Sequence, residues 1–413
     1  MSQNSVLIIG AIWVEPNSSA AGKRMVQLIE QFLSQNWKVT FASSAIKGEK
    51  AIDLPSIGVD EVAIVLNDIS FDIFVKELAP TIVLFDRFMI EEQFGWRVAE
   101  NCPKALRILD TEDLHCLRKT REKAIKKNKI FSKEDLRTED ISKREIAAIL
   151  RCDLSLMIST FEMDVLINFF KIAPNLVYHL PFLLPRIDED QSTRWNDFAA
   201  RKHFAIIGNF LHAPNVDAVL LLKKSIWNHI RKQLSEAELH IYGAYPTQQI
   251  LELHSKKDGF LIKGYTTDPE EIIRNIRIVL APLRFGAGIK GKLTEAMLFG
   301  APSVTTSIGA EGMHADLPWN GVITDDFEDF AHKAVELYSN ETLWNAAQQN
   351  GVAIINSIYD KEKQGPLLIH KILEIQKNLE AHRAANFFGS MLQHQTLQST
   401  KYMSKWIEAK NRN

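Results

Sequence analysis

Cysteine is scarce. Only Cys102, Cys116 and Cys152 occur in 413 residues, no two of them form a CxxC pair, and no histidines stand at a zinc-type spacing. A disulfide or metal-knit scaffold is thereby excluded, and a reducing compartment is expected. An excess of either charge is missing too: 49 Lys and Arg against 51 Asp and Glu leave a formal net charge of −2. No global footprint for nucleic acid follows, and none is expected as a partner. Nowhere do about 18 uncharged apolar residues run together, so a spanning helix is excluded. The opening MSQNSVLIIGAIWVEP lacks a basic stretch ahead of its short apolar run. It reads as a buried first strand rather than a signal peptide, and a cytoplasmic protein is expected.

What is present is a repeating series. Apolar, β-branched runs at 6–11, 38–43, 62–67, 81–86, 106–111 and 154–160 alternate with helical patterns. Near-continuous apolar strands separated by helices indicate a parallel sheet covered on both faces. Between the first two strands, Met25, Leu28, Ile29, Phe32 and Leu33 share one helical stripe, which makes a βαβ unit. After VYHLPFLLPRIDEDQSTRWND the series restarts at 204–210, 238–244, 259–265, 276–282, 302–307 and 321–326. The fold class expected is α/β, two tandem Rossmann-like doubly wound domains over 1–185 and 201–370, joined by a linker at 186–200. A helical tail over 371–413 is expected to pack back across the junction. Ligand should bind at the carboxyl ends of the strands, in the cleft between the domains.

One turn concentrates chemistry. RFGAGIKGK, from Arg284 to Lys292, follows a strand and leads into a helix expected to start near Ile289. Gly286, Gly291 and Lys292 fit the Walker spacing, but Leu293 stands where a magnesium-binding Ser or Thr is needed. Gly286, Gly288 and Gly291 fit a dinucleotide fingerprint, but the next strand, PSVTTS, ends without the acidic ribose ligand. Either way, glycines after a strand let backbone amides approach an anion, and a helix start directs positive charge there. Arg284, Lys290 and Lys292 add cations. A tight turn with solvated lysines is the plain alternative.

The longer stretch GAGIKGKLTEAMLFGAPSVTTSIGAEGM resembles the donor-binding signature of GT-B glycosyltransferases, in particular family four, the glycosyl transferases group 1. The resemblance implies a nucleotide diphosphate sugar as donor. Its diphosphate would lie on the turn and its lysines, its ribose on Glu295, and Glu311 would stand beside the sugar or phosphates. GFLIKGYTTD would supply base contacts near Gly264 and Tyr265, and Gly22 would open a helix whose end faces the phosphates. The family's first glutamate, eight positions before Glu295, is absent: Ala287 stands there. Retention of configuration, a saccharide or lipid-linked acceptor held by the N-terminal domain, and no cofactor are further implications. A nucleotide-sugar epimerase of GT-B fold and a non-catalytic nucleotide-sugar-binding protein are the rival readings.

LRILDTEDLHCLRKTREK places Asp110, Glu112, Asp113, His115 and Arg118 at a strand end and helix start. Asp113 and His115 are the candidate catalytic residues, because activating an acceptor hydroxyl needs a base within hydrogen-bond reach. The plainer roles are a helix cap for Asp113 and an ordinary helix position for His115. The basic run 118–129 is either a solvated helix face or a docking patch for the inner membrane surface. Asp188, Glu189 and Asp190 fall in the linker, so no metal site is expected.

Overall fold

The computed structural model describes residues 4–394, together with Tyr402, Met403, Trp406, Ile407 and Lys410. The expected tail beyond residue 394 otherwise lies outside the described residues. Among the described residues, thirteen strands fall into two sheets. The first contains β1 (Ser5–Gly10), β2 (Lys38–Ser43), β3 (Asp60–Ala63), β4 (Ile82–Asp86), β5 (Leu106–Asp110), β6 (Leu154–Met157) and β7 (Val177–His179) in the order β3-β2-β1-β4-β5-β6-β7. The second contains β8 (Lys202–Ile207), β9 (Leu239–Tyr242), β10 (Phe260–Gly264), β11 (Ile276–Ala281), β12 (Ser303–Thr305) and β13 (Gly321–Ile323) in the order β10-β9-β8-β11-β12-β13. Every strand pair is parallel.

Alternation along the strands shows why they read as unbroken apolar runs. Val6, Ile8, Ile82, Leu84 and Ile108 join one core, while Leu7, Ile9, Val83, Phe85 and Leu109 join the other. Each face therefore needs its own helices. The helices Phe88–Asn101, His115–Lys126 and Asp140–Arg151 cover one face through Phe94, Val98, Leu117 and Ile149. Helix Ala20–Ser34 covers part of the other through Met25, Leu28, Ile29 and Phe32, while Leu33 is half-buried at its rim. Helix Lys361–Lys377 completes that second face, its Leu368, Ile369, Ile372 and Ile375 packing with Leu106, Ile108, Leu154 and Leu156.

Three elements differ from their sequence-based bounds. β3 ends at Ala63, and Val65 and Leu66 beyond it are exposed, since an edge strand has a partner on one side only. β7 is only three residues long, too short for a periodic signal. The chain also returns to the first domain earlier than residue 371: Leu368 and Ile369 already lie in its core. Helices Leu379–Ala385 and Phe387–His394 continue along the first domain, Arg383 binding Asp153 at 2.7 Å and Asn386 donating to the Leu150 carbonyl at 2.7 Å.

The chain crosses between domains twice, and the crossings are bonded to each other. The Leu184 amide donates to Tyr359 O at 2.8 Å, the Lys361 amide donates to Leu184 O at 2.9 Å, and Asn356 pairs with both backbone groups of Ile187.

Leu368→Ala is expected to lower stability by about 2–5 kcal/mol, as for a buried Leu with an uncollapsed cavity. Amide exchange should rise over helix 20–34 and β5. A rise confined to the second domain would contradict this packing.

Candidate active site

In each domain the strand order reverses beside the first strand, between β1 and β4 and between β8 and β11. Crevices at such switch points are where doubly wound sheets bind ligands. Here the two face each other across a cleft of about 760 Å³. The first domain contributes Trp13, Lys23, Arg87, Glu112, Asp113 and His115; the second contributes Asn209, His212, Tyr245, Tyr265, Glu295 and the 285–292 turn.

The anion-binding half is built from two helix starts. Helix Gly291–Leu298 begins two residues later than expected, with Lys290 at its N-cap. Its first residue abuts helix 20–34: a Cβ on Gly291 would lie 2.7 Å from the Ala20 Cβ. The unpaired first-turn amides of both helices thus point into one region, where their partial positive charges add. Lys290 Nζ donates to Gly288 O at 2.6 Å, and Lys292 Nζ binds Asn215 Oδ1. Burial pushes the Lys292 amine down to about 8 and lowers Lys290 likewise, Glu311 offsetting part of the latter.

Several expected donor ligands stand elsewhere. Arg284 forms a two-point pair with Asp217 (Nε to Oδ2 2.9 Å) and does not line the cleft. A residue just past a strand end alternates sides with its neighbours, and Leu283 and Phe285 take the inward positions. Glu311 is bound by Arg121 through two bonds of 2.8 and 2.7 Å, and Arg121 also donates to Gly286 O at 2.9 Å. Gly288 donates its amide to Glu162 Oε1 at 2.8 Å, and a Cβ there would lie 2.9 Å from that of Asp113. Gly22 gives its amide to Ser19 Oγ in the first turn of its helix, and Gly264 ends β10 behind Tyr265. Gly286, Lys290, Lys292, Glu295 and Tyr265 line the cleft. Glu295 is ion-paired to Lys23 from the opposite domain.

In the acid-base group, Arg118 binds both oxygens of Asp113, at 2.6 and 3.2 Å. Burial alone would raise that carboxyl, but Arg118 and His115 outweigh it and hold it well below the ordinary carboxylate range. Asp113 is not the helix cap. Glu145 takes that role, accepting from the His115 and Cys116 amides at 2.9 and 2.7 Å. His115 Nδ1 lies 3.2 Å from the Asp113 carbonyl, an acceptor only, so Nδ1 carries a hydrogen. His212, across the cleft, is pushed down to about 4 by burial and by Arg118.

Three cleft residues have costly backbones, Tyr245 with φ 56° among them. Arg87, directly after β4, has φ 73° and ψ 155°, a region that glycine alone adopts readily. Glu112, after β5, has φ 61°. Such conformations cost on the order of 1–3 kcal/mol each and persist where surrounding structure imposes them. Neither Arg87 nor Lys23, Arg121 or Glu162 stands out in the sequence. Arg87 carries a signal, being the first residue after a strand beside the switch point. The others pair with residues 48 or more positions away and carry none.

The basic run 118–129 is not a free patch. Arg118 and Arg121 turn inward, Lys119 and Lys126 pair with Glu122, and Lys123 pairs with Glu139, leaving Lys127 and Lys129. Asp188, Glu189 and Asp190 are exposed, and Asp188 caps helix Glu189–Thr193. Among the described residues, His203, Glu238 and His240 are grouped closely enough for a metal. They lie at the opposite end of the second sheet, and His203 Nδ1 already accepts from the Glu238 amide.

Residues 201–340 match the family model of glycosyl transferases group 1. That match lies within the second domain. The fold of the whole chain is GT-B, shared with solved structures of low identity. A point mutant of S. aureus TarM, in complex with fondaparinux, alpha-GlcNAc-glycerol and UDP, aligns at TM-score 0.68 and 12% identity over 91% of this chain and 100% of its own. Sucrose-phosphate synthase from Thermosynechococcus elongatus aligns at 0.66 and 11%, over 90% and 99%. Anabaena HepE in complex with UDP and glucose aligns at 0.64 and 12%, over 90% and 100%. No curated protein sequence matches the chain. No described helix is long and apolar enough to cross a membrane.

Arg121→Ala should loosen the closed arrangement, because Glu311 would keep a largely enclosed charge without its partner, at a cost of about 3–5 kcal/mol. Small-angle scattering is expected to show a larger radius of gyration. An unchanged radius would mean that other contacts hold the domains together.

Proposed function

We propose that the protein is a glycosyltransferase that moves a sugar from a nucleotide diphosphate sugar to a saccharide or lipid-linked acceptor, with retention and without a metal. The observation that carries this reading is the meeting of two helix N-termini and two buried lysines in one cleft, with Glu295 on the next turn. A diphosphate supplies the charge that this arrangement lacks. Negative charge develops on the diphosphate as the bond to the anomeric carbon breaks, and preorganised amides and ammonium groups stabilise it there. Glu295, shared with Lys23, would take the ribose hydroxyls, and Tyr265 with Tyr245 would wall the base.

His115 would present Nε2 to a sugar hydroxyl, with Asp113 and Arg118 holding the ring. The charge task of a metal falls to Lys290, Lys292 and the helix end, in keeping with the remote, exposed Asp188–Asp190 stretch. Retention rests on the resemblance to family four. The acceptor would lie against Trp13, Met89 and Arg87 of the first domain, in the inner-membrane or cytoplasmic setting expected from the sequence. UDP in the TarM and HepE complexes supports a nucleotide sugar as donor.

Lys290→Ala is expected to lower transfer about 100- to 1,000-fold, as for loss of a preorganised charge-stabilising donor. Glu295→Ala should weaken donor binding about 10- to 100-fold, matching a lost charged hydrogen bond of about 1.5–3 kcal/mol. Arg284→Ala should keep its rate. Screening UDP-, GDP- and ADP-sugars with product mass spectrometry tests the set, and wild-type rates for the first two variants would refute the site.

A pH dependence follows from Lys292. Its folded pKa of about 8 lies below the ordinary 10.5, so it is charged below pH 8 and neutral above. Donor affinity should be full below pH 8 and fall up to about tenfold per unit above it. The same shift makes the ligand-free protein gain stability between pH 8 and 10.5, where the unfolded chain binds more protons. Calorimetric titration at several pH values checks the first trend.

A further inference from the structure

Three carboxylates at the ends of β4 and β5 each have a guanidinium beside them. Asp110 is bound by Arg24, with Nε 3.0 and 3.1 Å from its two oxygens. Asp113 is bound by Arg118 at 2.6 and 3.2 Å. Asp86 takes the Ala11 amide on Oδ2 at 3.0 Å and has Arg87 Nε 3.6 Å from Oδ1. A fourth carboxyl, Glu112, is left over. Among the described residues its side chain makes no hydrogen bond, its Oε1 is enclosed, and it lines the cleft. The Arg87 guanidinium makes no hydrogen bond among them either, and it lines the same cleft. Polar groups left unused at an enclosed wall call for a polar occupant. Both residues stand on the strained backbones described above, where glycine would fit without strain but would remove the side chain. The Gly288 turn rests on the Glu112 carbonyl, 3.3 Å from the Cβ position of Gly288, so the pair sits where the donor-binding turn meets the first domain.

We infer that Arg87 and the Glu112 carboxyl form the acceptor subsite, and that this subsite takes the hydroxyls of an uncharged sugar. The inference rests on the glycosyltransferase reading above and names the acceptor class of the same cleft. An acceptor phosphate or uronate would meet Asp86, Asp110 and Asp113 with no guanidinium to spare. An amino sugar would meet Arg87. A hydroxyl suits both groups, because it donates one hydrogen and accepts another. Its oxygen accepts from Arg87, which can only donate, and a neighbouring hydroxyl donates to, or accepts from, the Glu112 carboxyl. Trp13 and Met89, on the same wall, offer apolar surface to the sugar ring. Glu112 takes no proton from the acceptor, in keeping with retention.

The ionisable surroundings agree with an uncharged occupant. Asp86 and Arg87 lie at the end of β4, Asp110 on β5, Lys23 and Arg24 on helix 20–34, Asp113, His115 and Arg118 on the loop and helix of Glu112 itself, and Glu162 and Lys290 around Gly288. Burial first, then Asp110 and Asp86, raise the Glu112 carboxyl well above its ordinary range, and Arg87 and Arg24 offset only part. Below that raised value the carboxyl is protonated and can donate; above it the carboxyl is ionised and adds a fourth negative charge beside Arg87. Acceptor affinity is therefore full below the raised value and lost as pH rises through it.

The experiment uses the full chain and the nucleotide sugar from a UDP-, GDP- and ADP-hexose panel that gives the largest thermal shift. Acceptors are methyl glucoside, methyl galactoside and methyl mannoside, the phosphate esters and uronates of the same sugars, and methyl glucosaminide. Transfer is followed by product mass spectrometry at saturating donor, against pH, for wild type, Glu112→Gln, Glu112→Ala and Arg87→Gly. A neutral glycoside should be used at least about tenfold better than its charged counterparts. Glu112→Ala and Arg87→Gly should each raise the acceptor KM at least about tenfold. Glycine suits the backbone at 87, so that variant should stay folded. Glu112→Gln reproduces the uncharged form; it should hold the acceptor KM within about threefold and abolish its rise at high pH, which a merely structural role would not do. An infrared difference spectrum, wild type minus Glu112→Gln, should carry a protonated-carboxyl band at neutral pH. Preference for a charged acceptor, use of no neutral one, Glu112→Gln as impaired as Glu112→Ala, or an ionised-carboxylate band in that spectrum overturns the assignment. Absence of donor binding by wild type overturns the glycosyltransferase reading and the inference with it, whereas donor binding with any of those patterns overturns the subsite alone.

Discussion

The turn of residues 286–291 is seated so closely on the first domain that no side chain fits between them. A Cβ on Gly288 would sit 2.9 Å from that of Asp113, and one on Gly291 would sit 2.7 Å from that of Ala20. Two helix starts are thereby brought together, and their positive ends repel unless negative charge lies between them. In the protein alone, carboxylates answer part of the positive charge around the turn. Glu162 accepts the Gly288 amide, Glu295 binds Lys23, and Glu311 binds Arg121. Burial lowers the pKa of Lys290 and Lys292, and Glu311 and Glu295 offset only part of that.

Closure is specified by few groups, and they lie apart from the pivot. The crossings at Leu184 and Asp360 are hydrogen-bonded to each other and do not depend on the cleft being shut. Across the cleft run the Arg121, Glu162 and Lys23 contacts, with Tyr245 donating to Glu15 at 2.9 Å and Asn209 to the Ser18 carbonyl at 3.2 Å. Arg121 sits against the rings of Phe131 and Phe161, largely removed from water. Desolvating such a pair cancels much of its attraction, so its contribution is a defined geometry more than a large net stability.

The sheets were legible because both faces of each are buried, which leaves continuous apolar runs such as VLIIG and IRIVLA. Where burial is one-sided or the strand very short, as at β3 and β7, that signal fades. The glycine-lysine turn was legible as an anion site, and Gly286, Lys290, Lys292 and Glu295 do line the cleft. Arg284 was not separable from its neighbours, because the direction of a side chain after a strand end depends on backbone twist that no local pattern encodes. The basic run misled for a similar reason: composition counts its cations, but only the helix geometry pairs Lys119 and Lys126 with Glu122 and turns Arg121 toward the other domain. The role of Glu162 depends on contacts 48 and 126 residues apart and has no sequence-local trace.

The two switch points solve opposite problems. In the second domain the chain leaving β11 turns on glycines, so that main-chain atoms can come close to what they bind. In the first domain the equivalent turns after β4 and β5 keep Arg87 and Glu112 in backbone conformations that glycine would adopt without strain. Glycine there would relieve on the order of 1–3 kcal/mol per site and remove the side chain. The strain is held by the Arg87 amide donating to Asp110 O at 2.8 Å and the Asp113 amide donating to Thr111 O at 2.7 Å. One domain therefore offers amides and ammonium groups suited to binding charge, and the other turns a guanidinium and a carboxyl toward the same cleft. Chemistry needs both at one place, which is why the site exists only between the domains.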